Sequence, residues 1–120
     1  MHKVCVLLLA LLLTSCSANY DNSGSPNWFK TGERSAVSGE LLVSAVNLAK
    51  EMKLDAVTAS DYEEYLQGYQ QGLDKFCDVN NAFLMGAKGH RYHGQCEGRR
   101  NEPQFKYEWA RGLAQVIYPK

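Results

Sequence analysis

The chain has no apolar run long enough for a permanent membrane span, no surplus of charge of either sign and no residues at a known catalytic spacing. Its longest wholly apolar stretch is residues 4–13, ten residues where a spanning helix needs about 20. Thirteen Lys and Arg balance thirteen Asp and Glu, so no global field draws the chain toward nucleic acid or an anionic membrane surface. Histidine occurs three times and cysteine four times in 120 residues. His2 stands where N-myristoylation requires glycine, and the C-terminus carries no Cys box for prenylation. The length allows one domain.

What is present begins with a leader. Lys3 supplies a firm positive charge ahead of the apolar run, and the pair suits the start of a secretory signal. Leu13-Thr14-Ser15-Cys16 then resembles the lipobox of bacterial lipoproteins: a Leu, two small residues and the Cys that is modified. Small side chains before the cut let a peptidase bind the extended backbone, and the thiol is the group to which diacylglycerol is joined as a thioether. The resemblance implies a signal peptide over residues 1–15 and a mature chain starting at an acylated Cys16. At about 0.8 kcal/mol per buried methylene, one acyl chain holds a protein marginally and two hold it stably. A plain secretory signal that ends near a cysteine is the alternative. Ser17 rather than Asp follows the anchor, and the resemblance to Gram-negative lipoproteins then implies the outer membrane. Residues 17–27 are polar, contain Gly24 and Pro26 and have no apolar period. They read as a flexible tether with a span of roughly 18 Å.

Cys5 leaves with the leader and Cys16 is acylated, which leaves Cys77 and Cys96. Two cysteines in an exported domain pair readily because that compartment is oxidising. A loop of this length contributes about 3 kcal/mol on the chain-entropy model. A reactive thiol is the alternative.

Residues 28–120 read as helical. Trp28, Gly32 and Ala36 recur at spacings of four and predict a helix to about Val37. Leu41, Leu42, Ala45, Leu48, Ala49 and Met52 predict a second over 39–53, or one bent helix with Gly39 at the bend. Ser60-Asp61-Tyr62-Glu63 fits a capping box ahead of a stripe of Tyr62, Tyr65, Leu66, Tyr69, Leu73 and Phe76, with Gly68 and Gly72 at its edge. A short helix over 80–88 follows, ended by Gly89. Residues 90–101 are a glycine-rich, basic loop pinned by Cys96, and Pro103 suits the first turn of a last helix carrying Phe105, Trp109, Gly112, Leu113 and Val116. An aromatic residue followed three positions later by glycine recurs at Tyr65/Gly68, Tyr69/Gly72, Phe83/Gly86 and Trp109/Gly112, with Trp28/Gly32 as a looser case. Mid-helix glycine costs roughly 1 kcal/mol relative to alanine. These positions therefore predict close packing, with a neighbouring ring lying in the notch.

From Leu66-x-Gly68-Tyr69-x-x-Gly72-Leu73-x-x-Phe76-Cys77 through Phe83-x-x-Gly86-x-x-Gly89-x-x-Tyr92-x-Gly94-x-Cys96, the sequence resembles the domain of unknown function 2799 family of small bacterial envelope lipoproteins. The upstream Trp28-x3-Gly32-x6-Gly39 and the downstream Phe105-x3-Trp109-x2-Gly112 extend the likeness over nearly all of the mature chain. Members often carry an acid near the positions of Ser35 and Ala36, and the 88–93 stretch is unusually basic here. The resemblance implies an envelope location, a helical fold and a Cys77–Cys96 bridge, and it implies no activity.

His90 and His93 lie in a glycine-broken loop with no further ligands at metal spacing, so they read as solvated loop histidines. A Cys–His catalytic pair at Cys96 would need a free thiolate, which a bridge removes. Glu63, Glu64 and Asp74 lie on the polar flank of a helix, and Gly86-x-x-Gly89 is too short for a phosphate loop. Neither a metal nor any other cofactor is expected. Lys88, His90, Arg91, His93, Arg99 and Arg100 form the one patch with functional promise, suited to an acidic protein surface, lipid phosphates or a polyanionic glycan, or else merely a soluble loop. The expectation is an all-α bundle of three to four helices, stapled by one disulfide. It would be held at the membrane by lipid, non-catalytic, and act through contact with an unknown envelope protein. A periplasmic inhibitor or immunity protein against a hydrolase or toxin is the alternative, and an enzyme or small-ligand binder a third. A pocket gathering His90 and His93 with a carboxylate would favour that last reading.

Overall fold

The computed structural model describes residues 24–120, which form five helices and no strand. They are α1 (Trp28–Val37), α2 (Ala45–Glu51), α3 (Ala59–Phe76), α4 (Val79–Ala87) and α5 (Glu102–Ile117). Four of the five starts are capped by a side chain accepting from a free backbone N–H: Asn27 from Lys30, Ser44 from Asn47, Thr58 from Asp61 and Asp78 from Asn80. Glu102 and Pro103 occupy the first turn of α5. The start of α3 therefore lies two residues before the expected box. Thr58 is the cap, and Ser60 and Glu63 are already inside the helix.

The stretch 39–53 is not one helix. Gly39 adopts φ +80° and closes α1, with Glu40 donating to the Ser35 carbonyl. Residues 40–44 then run non-helically across α3. Two tyrosine hydroxyls hold them there: Tyr69 donates to the Glu40 carbonyl at 2.7 Å and Tyr62 to the Val43 carbonyl at 2.8 Å. Leu41 and Leu42, expected on a buried helical face, are exposed instead.

The helices pack as two parallel pairs of the same design, α1 with α3 and α4 with α5. A Cβ on Gly32 would meet the Tyr65 carbonyl oxygen at 2.0 Å, and one on Gly68 would meet that of Phe29 at 1.8 Å. Gly72, one turn after Gly68, meets the carbonyl oxygen of Glu33, one turn after Phe29, and Gly39 just beyond α1 meets the Phe76 ring at the end of α3. The contacts advance together, so α1 and α3 run parallel. In the second pair, Gly86 faces the Trp109 carbonyl oxygen at 2.0 Å and Gly112 that of Phe83 at 1.9 Å. Each helix thus offers a glycine to the backbone of its partner three residues before the partner's own glycine, which is how small residues bring helices into backbone contact. Neighbouring backbone, not a neighbouring ring, fills these four notches. Phe29, not Trp28, is the aromatic that completes the repeat in α1. Gly68 and Gly72 accordingly lie at the centre of the buried face of α3 and not at its edge.

The pairs meet at one junction. The Phe76 and Phe105 rings lie 5.7 Å apart, Asn101 donates to the Cys77 carbonyl, and Cys77 is bonded to Cys96 with both residues fully buried. The bridge expected from the cysteine count is present.

Candidate functional site

The segment between α4 and α5 emerges at that junction. Gly89, Gly94 and Gly98 turn it with φ between +79° and +86°, values side chains disfavour. Four further ties hold it. The indole N–H of Trp109 donates to the His90 carbonyl at 2.7 Å, and Tyr92 donates from its hydroxyl to Glu102 at 2.9 Å. Gln95 spans to the Gly39 carbonyl at 3.1 Å while its own oxygen accepts from the His93 N–H. Cys96 is anchored through the disulfide. The Tyr92 ring is wedged between Phe105 and Trp109, at 5.5 and 6.0 Å. Burial, and then the bond to the Glu102 carboxylate, push its phenol up to about 12.

Of the six basic residues singled out from the sequence, the structure gathers three around one cavity. His90, Arg91 and His93 line a cavity of about 330 Å³ together with Gly89, Tyr92, Trp109 and Leu113. Lys88 caps α4 and is exposed. Arg99 pairs with Asp74 of α3 at 2.9 Å, and Arg100 beside it is exposed. Asp74 is 70% exposed, so this ion pair is a weak tether. His90 and His93 do share a cavity, but no carboxylate lines it. His93 also borders a second cavity of about 380 Å³, where Glu40, Glu51 and Tyr65 contribute. Among the described residues no three His, Cys, Asp or Glu are grouped to hold a metal ion. Cys16 and residues 17–23 of the tether lie outside the described residues.

Residues 27–114 match the model of a family described as "Protein of unknown function (DUF2799)". The chain belongs to that family. It is also 27% identical over 116 residues to "Uncharacterized protein YfiL" of Escherichia coli (strain K12), covering 93% of this chain and 90% of that one. No solved structure matches the chain. The span that matches DUF2799 contains both reciprocal glycine pairs, both bridging cysteines and the whole loop. It ends before the exposed Val116, Ile117 and Tyr118 at the end of α5.

One residue escaped the sequence reading. Glu33 is the buried charged residue of the core region, 6% exposed, and receives Lys75, Lys30 and Gln71 together. The hydrogen bonds from Lys75 and then Lys30 outweigh the opposing effect of burial and hold its carboxyl well below the usual range, at about 2. Its neighbour is Gly32, and its own carbonyl faces Gly72. An acid beside a packing glycine, with Lys30 three residues earlier on the helix, was the available signal.

Proposed function

We propose that this protein is an exported lipoprotein, held at a bacterial membrane through Cys16, that acts there without catalysis by contacting another envelope protein through the loop around Cys96. The observation that carries the contact reading is the mismatch between the backbone and side chains of that loop. Its main chain is fixed at several points, while Lys88, Arg91, His93 and Arg100 project into solvent. A segment ordered before binding loses little freedom when a partner arrives. A buried disulfide fits maturation in an oxidising compartment. The lipobox-like Leu13-Thr14-Ser15-Cys16 supports the anchor. No helix among the described residues is long and apolar enough to cross a membrane.

The test is crosslinking in intact cells, followed by affinity purification from membranes and mass spectrometry. Wild type is compared with a chain in which Lys88, Arg91, Arg99 and Arg100 are changed to glutamine. A defined partner lost from the variant, and a Cys16 peptide carrying diacylglycerol, are the expected results. The same abundant envelope proteins in both samples would overturn the contact reading, and an unmodified Cys16 would overturn the anchor.

A further inference from the structure

We infer that the cavity between the loop and α5 is a binding site for an anionic sugar, a pyranose-sized ring bearing a phosphate or carboxylate. The inference does not depend on the anchor or on a protein partner. It begins with Arg91, whose guanidinium makes no hydrogen bond or ion pair within the described residues and which, unlike the equally unpaired Lys88 and Arg100, lines the cavity. No acid lines the cavity, so its permanent charge is positive and uncompensated. A guanidinium offers a planar fork of N–H donors matched to carboxylate and phosphate oxygens.

An inorganic anion alone does not account for the rest of the site. The cavity is about 330 Å³, within the range of small-molecule sites, and an oxyanion fills only a fraction of that. Its walls include the rings of Tyr92 and Trp109 and the side chain of Leu113. Both rings have already committed their polar atoms, Trp109 to the His90 carbonyl and Tyr92 to Glu102, so what they present is apolar surface. A wholly apolar body would suit those rings but would strip water from the imidazoles of His90 and His93, which have no partner in the described residues. A ring with an apolar face and a hydroxylated edge satisfies both. The acid group sits on Arg91, the ring lies against Trp109 and Tyr92, and hydroxyls meet the two histidines. The ties that fix the loop keep this arrangement in place before the ligand arrives.

The purified full chain with its disulfide intact is titrated by two-dimensional NMR at constant ionic strength. The probes are glucose 1-phosphate, glucuronate, inorganic phosphate and glucose, and the signals read are the Trp109 indole N–H and the amides of residues 89–93. Saturable shifts are expected with at least one sugar acid, at a Kd at least tenfold below that of inorganic phosphate, and none with glucose. R91A should weaken sugar-acid binding tenfold or more, as loss of a charge-assisted bidentate contact does. R100A, an exposed cation that does not line the cavity, should leave it unchanged. The inference is overturned if neither sugar acid binds saturably, or if inorganic phosphate binds equally well. It fails equally if R91A binds like wild type, or if R100A weakens binding as much as R91A.

Discussion

Replacing Gly68 with alanine should destabilise the protein, although alanine is the better helix former. In an exposed helix interior the change would stabilise by about 1 kcal/mol. Here the added methyl would stand 1.8 Å from the carbonyl oxygen of Phe29 and 2.9 Å from its Cα. Both obstacles are backbone atoms in the first turn of α1, so no side chain can swing aside. The helices must separate by more than an ångström, which loosens the contact that buries Trp28, Ala36, Tyr65 and Tyr69. Overpacking costs about 1–3 kcal/mol where neighbours can adjust and more where they cannot. Setting the upper end against the gain in propensity leaves a net loss of about 2 kcal/mol, a fall in Tm of roughly 8–15 °C for a domain of this size. The cycle with Gly32→Ala adds a second check. Gly32 faces the Tyr65 carbonyl across the same contact, so one separation of the helices relieves both clashes and the double variant should lose clearly less than the sum. Thermal unfolding followed by circular dichroism measures all three. A Gly68→Ala protein as stable as wild type would refute the reciprocal packing, and additive losses would show that the two glycines do not share one interface.

Two other outcomes follow from single features. Cys96→Ser, measured without reductant, should lose about 3 kcal/mol on the chain-entropy model, since the bridge closes a separation of 19 residues; an unchanged denaturation midpoint would show that the bridge contributes nothing. The carboxyl of Glu33 is depressed from 4.5 to about 2, so its stabilising effect is complete above its unfolded value and is lost as pH falls through that window. Urea unfolding of wild type and Glu33→Gln should therefore show wild type ahead at neutral pH and the gap closing between pH 4.5 and 2; a gap that stays constant down to pH 2 would mean that the charge of Glu33 is irrelevant.

Helical character was legible because it is written locally. The period of Tyr65, Tyr69, Leu73 and Phe76, the glycine at 89 and the proline at 103 each act over one or two turns, and α1, α3, α4 and α5 lie within two residues of where those signals put them. Residues 39–53 misled because their apolar spacing is helical while the force that decides their path is distant. The hydroxyls of Tyr62 and Tyr69, some 20 to 30 positions downstream, donate to the Val43 and Glu40 carbonyls, hold the chain in a non-helical course and leave Leu41 and Leu42 outside. The glycine repeat was visible but its partner was not. Spacing shows that a surface is missing a side chain and says nothing of whether a ring or a backbone comes to fill it. The surroundings of the basic loop were hidden in the same way: nothing in the sequence pairs Arg99 with Asp74 on α3 or brings Trp109 and Leu113 of α5 to the cavity that Arg91 lines.

The position of the loop gives those long-range contacts a common consequence. It connects the two helices of one glycine pair, α4 and α5, yet its fixed points belong to both pairs. Cys96 is bonded to the end of α3, and Gln95 reaches the residue that terminates α1. Trp109, which holds His90, also supplies the carbonyl against which Gly86 packs. The cavity walls are thus set by the spacing within one pair and by the joint between the two. A methyl group at Gly86 would push away the turn of α5 that carries Trp109, far more directly than one at Gly68 would. Damage at Gly86 should accordingly reach the His90–Trp109 bond before the domain as a whole unfolds, whereas damage at Gly68 should first release Phe29 and Glu33. Close helix contact in this fold therefore serves two ends, burying a small aromatic core and holding a short, charged loop in one shape.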